Sequence, residues 1–383
     1  MRLFEAFNAD ARADKLNLVV GVYTDDLGKV PVLRAVSAAE RAWIGEGKPK
    51  TYRPIEGTPG YRRGVQDLLF GKAELVKQGQ ATSLQSIGGT GALKIGADVL
   101  KALRPDAIVA VSSPSWENHR SLFETAGFKV VDYDYYDPVA QDVDIEAMLG
   151  SLEQLPLGSI VVLHACCHNP TGNDLVPAQW ERVISTLEQR ELIPFVDIAY
   201  QGFGDGLEED ALVVRLLAKT DMDFFIASSF SKSFSLYGER VGALTIVSRD
   251  AGRTREVEAF AKRIIRTAYS NPPTHGATLV ERVLCTPELC AEWEAELTEI
   301  RLRVRSMRAR FVESLSARLP QRSFEAVTRQ KGMFSYSGLS PSEAEALRRD
   351  HGIFILDTGR ICVAALNEHN IDRVVQAISQ VAA

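Results

Sequence analysis

The chain has 383 residues, 50 acidic against 44 basic, for a net charge of −6, and it is long enough for a large domain with a smaller companion. That balance lacks the basic field on which nucleic-acid binding depends, and no apolar run reaches the roughly 20 residues of a membrane helix. The amino-terminal run MRLFEAFNADARADKLN has no apolar signal core, so a cytoplasmic protein without nucleic-acid or membrane partners is expected.

Along the chain, the first informative run is SIGGTGALKIGADVL (86–100). Gly88, Gly89, Thr90 and Gly91 stand just ahead of an amphipathic helical pattern, where bare N–H groups and the helix dipole favour an anion. By itself the run reads equally as a phosphate loop or a tight turn. Lys94 takes the place of the third glycine of a dinucleotide fingerprint, and no Gly-Lys-Ser/Thr occurs, which excludes that fingerprint and the P-loop.

Short apolar runs then alternate with amphipathic stretches such as 177–190. The expected strands are AIVAV (107–111), FKVVDYD (128–134), SIVVLH (159–164), LIPFVD (192–197), DFFIASS (223–229) and GALTIVS (242–248). This alternation predicts an α/β fold whose largely parallel sheet is buried on both faces.

Residues able to do chemistry gather at the ends of these strands. SPSWENH (113–119) carries Trp116, suited to stacking on a ring or to filling core, and His119. LHACCHNPTGNDL (163–175) ends a strand in the turn Asn169-Pro170-Thr171-Gly172. His164 and His168 flank Cys166 and Cys167 there, without the second half of a zinc ligand set. In LIPFVDIAYQGF (192–203), Asp197 closes a run too apolar for an unpartnered carboxylate, and Tyr200 follows it. In SSFSKSFSLYGERVG (228–242), Lys232 lies just past a strand among Ser228, Ser229, Ser231, Ser233 and Ser235. Partial desolvation there makes an amine a usable nucleophile or proton carrier, and Arg240 is spaced to fork a phosphate.

From Trp293 onward, Leu297, Ile300, Val304, Met307, Phe311 and Leu315 mark one face of a long helix. Arg301, Arg303, Arg305, Arg308 and Arg310 are preceded by glutamates at 292, 294, 296 and 299, which reads as a solvated face. GMFSYSG, RICVAAL and a last helix then suggest a second, smaller α/β domain. The resulting division is 1–35 as an N-terminal segment joining the small domain, 36–300 as the large domain and 301–383 as the small one. The five cysteines, with no Cys-x-x-Cys pair, read as reduced, packed thiols.

Phosphate donors, a lysine, a buried aspartate, an aromatic plate and an asparagine at successive strand ends together fit pyridoxal phosphate. These segments, from LNLVVGVYTDDLGKVPVL (16–33) to GRICVAALN (359–367), resemble the class I, fold-type I aminotransferases of the aspartate and aromatic amino-acid subgroup. GGTGALK, ACCHNPTG, FSLYGERVG and GMFSYSGLS most resemble the bacterial aromatic amino-acid enzymes. The resemblance implies a mainly parallel seven-stranded sheet between helices, a pyridoxal-phosphate cofactor and ping-pong transfer of the amino group from tyrosine, phenylalanine or aspartate to 2-oxoglutarate.

It also implies roles. Lys232 is the lysine that links to the cofactor aldehyde and, once freed, shuttles the substrate proton. Asp197 pairs with the ring nitrogen. Asn169 and Tyr200 donate to the phenolic oxygen, and Trp116 stacks on the ring with His119 and His164 behind it. Gly89, Thr90, Ser229, Ser231 and Arg240 hold the phosphate, joined by Tyr52 from a neighbouring subunit. Gly21 and Arg360 bind the substrate α-carboxylate, and Arg266 of the other subunit binds the distal one. A homodimer with shared active sites follows from that implication. Thr24, Val30 and Thr51 stand where strict aspartate enzymes carry lysine, threonine and asparagine, and Gly88 replaces a serine. These departures favour aromatic substrates, with strict dicarboxylate specificity as the alternative.

Overall fold

A computed structural model describes residues 2–382; Met1 and Ala383, the outer ends of the expected N-terminal segment and small domain, lie outside the described residues. Seven strands form one sheet: β1 (Ala81–Ile87), β2 (Ile108–Ser113), β3 (Lys129–Asp134), β4 (Ile160–His164), β5 (Ile193–Ile198), β6 (Phe224–Ser229) and β7 (Val241–Val247). Their order across the sheet is β1-β7-β6-β5-β4-β2-β3. β6, β5, β4, β2 and β3 are parallel, whereas β7 is antiparallel to both its neighbours.

Six of these strands match the apolar runs to within two residues. β1 is the one that hydropathy does not reveal, because Thr82, Ser83, Gln85 and Ser86 are all buried in it. Each finds a partner from a distant segment or a neighbouring turn. Ser83 bonds Thr245 at 2.7 Å, Thr82 donates to Glu258 at 2.8 Å, Gln85 donates to the Pro273 carbonyl at 2.7 Å and Ser86 to the Gly88 carbonyl at 3.0 Å. Buried polar groups with partners are tolerated, so tertiary contacts carry this strand.

The period of two sorts the strand residues between two cores. Val109 and Val111 of β2 pack on one face of the sheet, and Ala110 packs on the other. The helix Gly88–Leu103 covers the first face through Ala92, Ile95 and Val99. Its Gly96 lies so near the sheet that a Cβ there would stand 2.4 Å from Phe195 Cζ.

In the C-terminal part, the strand Phe334–Tyr336 pairs antiparallel with Arg360–Cys362. The N-terminal Leu16–Asn17 pairs parallel with Ile353–Phe354, so the chain's beginning is stitched to its end. A 32-residue helix, Pro287–Arg318, runs unbroken through residue 300. Its arginines form a solvated face only in part. Arg308 is 3% exposed and donates from Nε to Ser335 Oγ at 3.1 Å and from Nη2 to the Gly332 carbonyl at 2.5 Å. Glu296 is buried too, and accepts from the backbone N–H groups of Arg34 at 2.6 Å and Ala35 at 3.0 Å. It thereby satisfies the first turn of the helix Arg34–Gly45, whose N-cap Leu33 offers no side-chain acceptor. Cys166, Cys167 and Cys362 are buried free thiols, but Cys285 is exposed rather than packed.

Candidate active site

The sheet register aligns the strand ends. His164 lies opposite Asp197, Asp197 opposite Ala227, and Ser229 opposite Gly242. Residues just beyond the parallel strands therefore meet those just before β7, at the end of the sheet where α/β folds bind ligands. A cavity of about 420 Å³ opens there, lined by Gly21, Gly89, Thr90, Trp116, Asn169, Asp197, Tyr200, Ser229, Ser231, Lys232, Arg240 and Arg360. A cavity of about 440 Å³ at the opposite end of the strands, around Leu192, Phe225 and Val247, contains none of them.

One end of the active-site cavity suits an anion. The glycines lie inside the first turn of the helix Gly88–Leu103, whose N-cap Ile87 supplies no side-chain acceptor, so its leading N–H groups remain available. Arg240, in the left-handed region at φ 55°, donates from Nη1 to Ser231 Oγ at 3.2 Å and to the Tyr237 carbonyl at 3.0 Å. A Cβ at Gly88 would stand 2.5 Å from Arg240 Nη2, and one at Gly89 would stand 3.0 Å from Ser229 Cβ. The absence of side chains leaves this cradle its depth.

At the floor, Asp197 Oδ2 bonds His119 Nε2 at 2.8 Å, and the other carboxylate oxygen has no protein partner among the described residues. His119 Nδ1 meets Ser115 Oγ at 3.0 Å, which also reaches His164 Nε2 at 3.2 Å. Burial would raise the Asp197 pKa, but the His119 bond, the nearby imidazoles and Lys232 outweigh it and hold the carboxyl below its ordinary range. Trp116 lines the cavity and meets His119 edge-on at 5.2 Å.

Lys232 is partly buried, with its Nζ 4.9 Å from the centroid of the Tyr200 ring. Burial, reinforced by the Arg240 cation and opposed by Asp197, lowers its pKa, which increases the fraction of free amine. Burial raises that of the Tyr200 phenol, so its hydroxyl stays a donor.

At the other end, Arg360 Nη1 donates to Asn169 Oδ1 at 2.9 Å and Nη2 to the Val19 carbonyl at 2.8 Å. Its guanidinium lies 4.1 Å from the Phe334 ring centroid, and Nε has no partner. Burial lowers the Arg360 pKa, yet an arginine remains a cation at neutral pH. No carboxylate of the chain bonds it among the described residues, so this is a half-buried, planar cation without a bonded counter-ion.

Two expected site residues lie elsewhere. Tyr52 is 89% exposed and Arg266 is exposed on the helix Ala251–Tyr269, both away from this chain's own cavity. Val30 and Thr51 are also exposed, and Thr24 is half-buried; none of the three lines the cavity. Conversely, Val19, Val20, Val22, Leu93, Tyr237 and Phe334 line it without having been singled out by sequence, as does Cys166, which was read as a packed thiol. Tyr237 accepts from the backbone N–H of Tyr23 at 3.0 Å. Its place between Lys232 and Arg240 was the available signal; the apolar residues carried none beyond core.

Residues 13–378 match the family model for aminotransferase class I and II. An aspartate aminotransferase of Pseudomonas aeruginosa is 56% identical, over 99% of this chain and 96% of that protein. An aromatic-amino-acid aminotransferase of Escherichia coli is 45% identical, over 100% and 96%. The crystal structure of an aromatic-amino-acid aminotransferase from Burkholderia pseudomallei, covalently bound to pyridoxal phosphate, superposes with a TM-score of 0.97 at 54% identity, covering 99% of this chain and 96% of that one. With a mainly parallel seven-stranded sheet and this cavity at its end, the chain belongs to the class I and II aminotransferases.

Proposed function

We propose that the protein is a pyridoxal-phosphate-dependent aminotransferase that takes the amino group of tyrosine, phenylalanine and aspartate and gives it to 2-oxoglutarate. The observation that carries this reading is one cavity holding a depressed amine, Lys232, a partly unpartnered buried carboxylate, Asp197, and a half-buried cation with no carboxylate bonded to it among the described residues, Arg360. The donor set fits the cofactor: the glycine cradle with Ser229, Ser231, Thr90 and Arg240 for a phosphate, and the free oxygen of Asp197 for a protonated ring nitrogen.

When bound, pyridoxal phosphate supplies an aldehyde and an electron-withdrawing ring. Asp197, held ionised by His119, would keep that ring nitrogen protonated. Trp116 would cover one face of the ring, with His119 and His164 behind it. Asn169, whose Oδ1 is engaged by Arg360, would turn its N–H toward the phenolic oxygen beside the Tyr200 hydroxyl. Arg360, with Gly21, would orient the α-carboxylate and so fix the α-hydrogen near Lys232 Nζ, which takes the proton from one carbon and returns it to another. Closure of the C-terminal residues 301–383, with the N-terminal 1–35, over the large 36–300 unit would expel water and strengthen each of these contacts.

Apolar walls at Val19, Val20, Val22 and Phe334 support large side chains, while relatives bear both aspartate and aromatic names. A homodimer is supported by the exposure of Tyr52 and Arg266, and by exposed Val20, Leu27, Val30, Val32 and Ile44 in the same N-terminal stretch. Buried free thiols agree with a reducing cytoplasm.

The deciding measurement is kcat/KM for phenylalanine, tyrosine and aspartate at saturating 2-oxoglutarate on cofactor-loaded protein. Aromatic values equal to or above aspartate establish the dual specificity. An aspartate advantage of about 100-fold, about 2.7 kcal/mol, makes the enzyme an aspartate aminotransferase instead. Parallel double-reciprocal plots are expected for the ping-pong order.

A further inference from the structure

Phe334 is 4% exposed and lines the active-site cavity. Besides offering an apolar wall, its ring meets a group of the site on each of three sides. Its face carries the Arg360 guanidinium, 4.1 Å from the centroid. The Tyr200 ring meets it at 82°, with centroids 6.3 Å apart. The third neighbour is Gly21, where a Cβ would stand 2.6 Å from Phe334 Cζ. Only a bare glycine lets that stretch of backbone lie so close to the ring.

The contact with Arg360 follows from strand register. Tyr336 pairs with Arg360 and Phe334 with Cys362. Side chains two apart share a face of the strand, so Phe334 is the diagonal neighbour of Arg360. A guanidinium has five N–H donors. Here Nη1 spends one on Asn169 and Nη2 one on the Val19 carbonyl, which leaves one on each for a carboxylate. Two parallel bonds to a carboxylate require the two planar groups to be coplanar. The bonds to Asn169 and Val19 pin the fork at its edge, but the tilt of its plane needs a surface to rest on. The Phe334 face is that surface, and its negative quadrupole attracts the cation.

We propose that Phe334 is a positioning residue for the substrate α-carboxylate: its ring fixes the plane of the Arg360 fork and seats the Gly21 backbone beside it. This inference rests on the reading of Arg360 and Gly21 as the α-carboxylate site. That carboxylate does not react, so the grip on it is the same in the ground state and the transition state. Its loss therefore shows in KM rather than in kcat.

The test uses cofactor-saturated protein and two variants, Phe334→Leu and Phe334→Met, which keep an apolar side chain and lose the ring face. Both should raise KM for aspartate about tenfold and leave kcat within about twofold of the parent. Calorimetry with succinate, which is aspartate without its amino group, should show the same weakening with no turnover involved. In an Arg360→Ala background, Phe334→Leu should change kcat/KM by less than about twofold, because the group it positions is gone. Equal losses in both backgrounds, a fall in kcat at unchanged KM, or unaltered succinate binding in both Phe334 variants would overturn the positioning role and leave the carboxylate site standing. Parent-like kinetics in Arg360→Ala itself would remove the carboxylate site, and the positioning role with it.

Discussion

Arg360 and Asn169 share a 2.9 Å hydrogen bond that joins the first residue of a short C-terminal strand to the turn beyond β4. The group suited to gripping a substrate carboxylate and a group suited to orienting the cofactor therefore hold each other in place. The bond also leaves the Asn169 Nδ2 facing the cavity without a protein partner among the described residues.

Arg360→Ala should lower kcat/KM by about 10³-fold, roughly 4 kcal/mol, because a half-buried charged contact is lost and its partners are left unpaired. Arg360→Lys should recover only about tenfold of that, since one ammonium cannot serve Asn169, Val19 and a carboxylate together. Steady-state kinetics on both variants check this, and near-wild-type kcat/KM in Arg360→Ala would remove the residue from substrate binding.

Lys232→Ala should retain cofactor less tightly and turn over negligibly, about 10⁴-fold or more below the parent, because no other amine lines the cavity to carry the proton. An added small amine should restore part of the rate. Appreciable unrescued activity in this variant is the result that defeats the assignment.

The pH dependence of stability should change in His164→Gln. Burial, with the His119 charge, pushes the His164 pKa down to about 3, whereas an unfolded histidine titrates near about 6.5. Between those values the unfolded chain binds a proton that the folded one does not, so the folded state is favoured above that window and loses stability as pH falls through it. Asp174, pushed up to about 6 by burial, works in the opposite direction but is common to both proteins. The variant should lose stability between pH 6.5 and 4.5 less steeply, by up to about 1.4 kcal/mol per pH unit. Denaturant titrations across that range decide it, and identical slopes would refute the assignment.

Two glycines should respond differently to alanine. At Gly242 the new Cβ would meet backbone, 2.5 Å from Gly88 C and 2.6 Å from Ser228 O, so the sheet itself must shift, at about 3 kcal/mol or more. At Gly88 it would meet the mobile end of Arg240 at a φ of +67°. Stability there should fall by only about 1 kcal/mol, while cofactor affinity drops about tenfold. Melting curves and cofactor titrations separate the two, and equal losses of stability would contradict this account.

Glu296→Ala should destabilise by about 2 kcal/mol, and Glu296→Gln by less, because two backbone donors of the helix Arg34–Gly45 lose a charged acceptor. Neither change should alter kcat.

Much of this was legible in the sequence because it is local. Six strands announce themselves as apolar runs; Asp197 closes one, and Trp116, Asn169, Lys232 and Arg240 each follow or precede one. What stayed hidden depends on distant partners. β1 needs Thr245, Glu258 and Pro273 to satisfy its polar side chains, and the burial of Glu296 and Arg308 needs Arg34, Ala35, Gly332 and Ser335. Phe334 looks like ordinary core until the fold sets Arg360 against its face. Tyr52 and Arg266 took their roles from resemblance alone, and a single chain leaves both on its surface.

The reversed direction of β7 has a consequence for how this pocket tolerates change. Had the strand after β6 been parallel, a crossover would have carried the chain away and returned it at the far end of the sheet. Because it turns straight back, Ser229, Ser231, Lys232 and Arg240 occupy a single excursion of the chain between Ser229 and Val241. Their mutual spacing is therefore set by loop length rather than by domain packing. Inserting or deleting one residue between Lys232 and Arg240 should uncouple the amine from the anion cradle while leaving both sheet faces intact, a lesion in ruler length rather than in architecture.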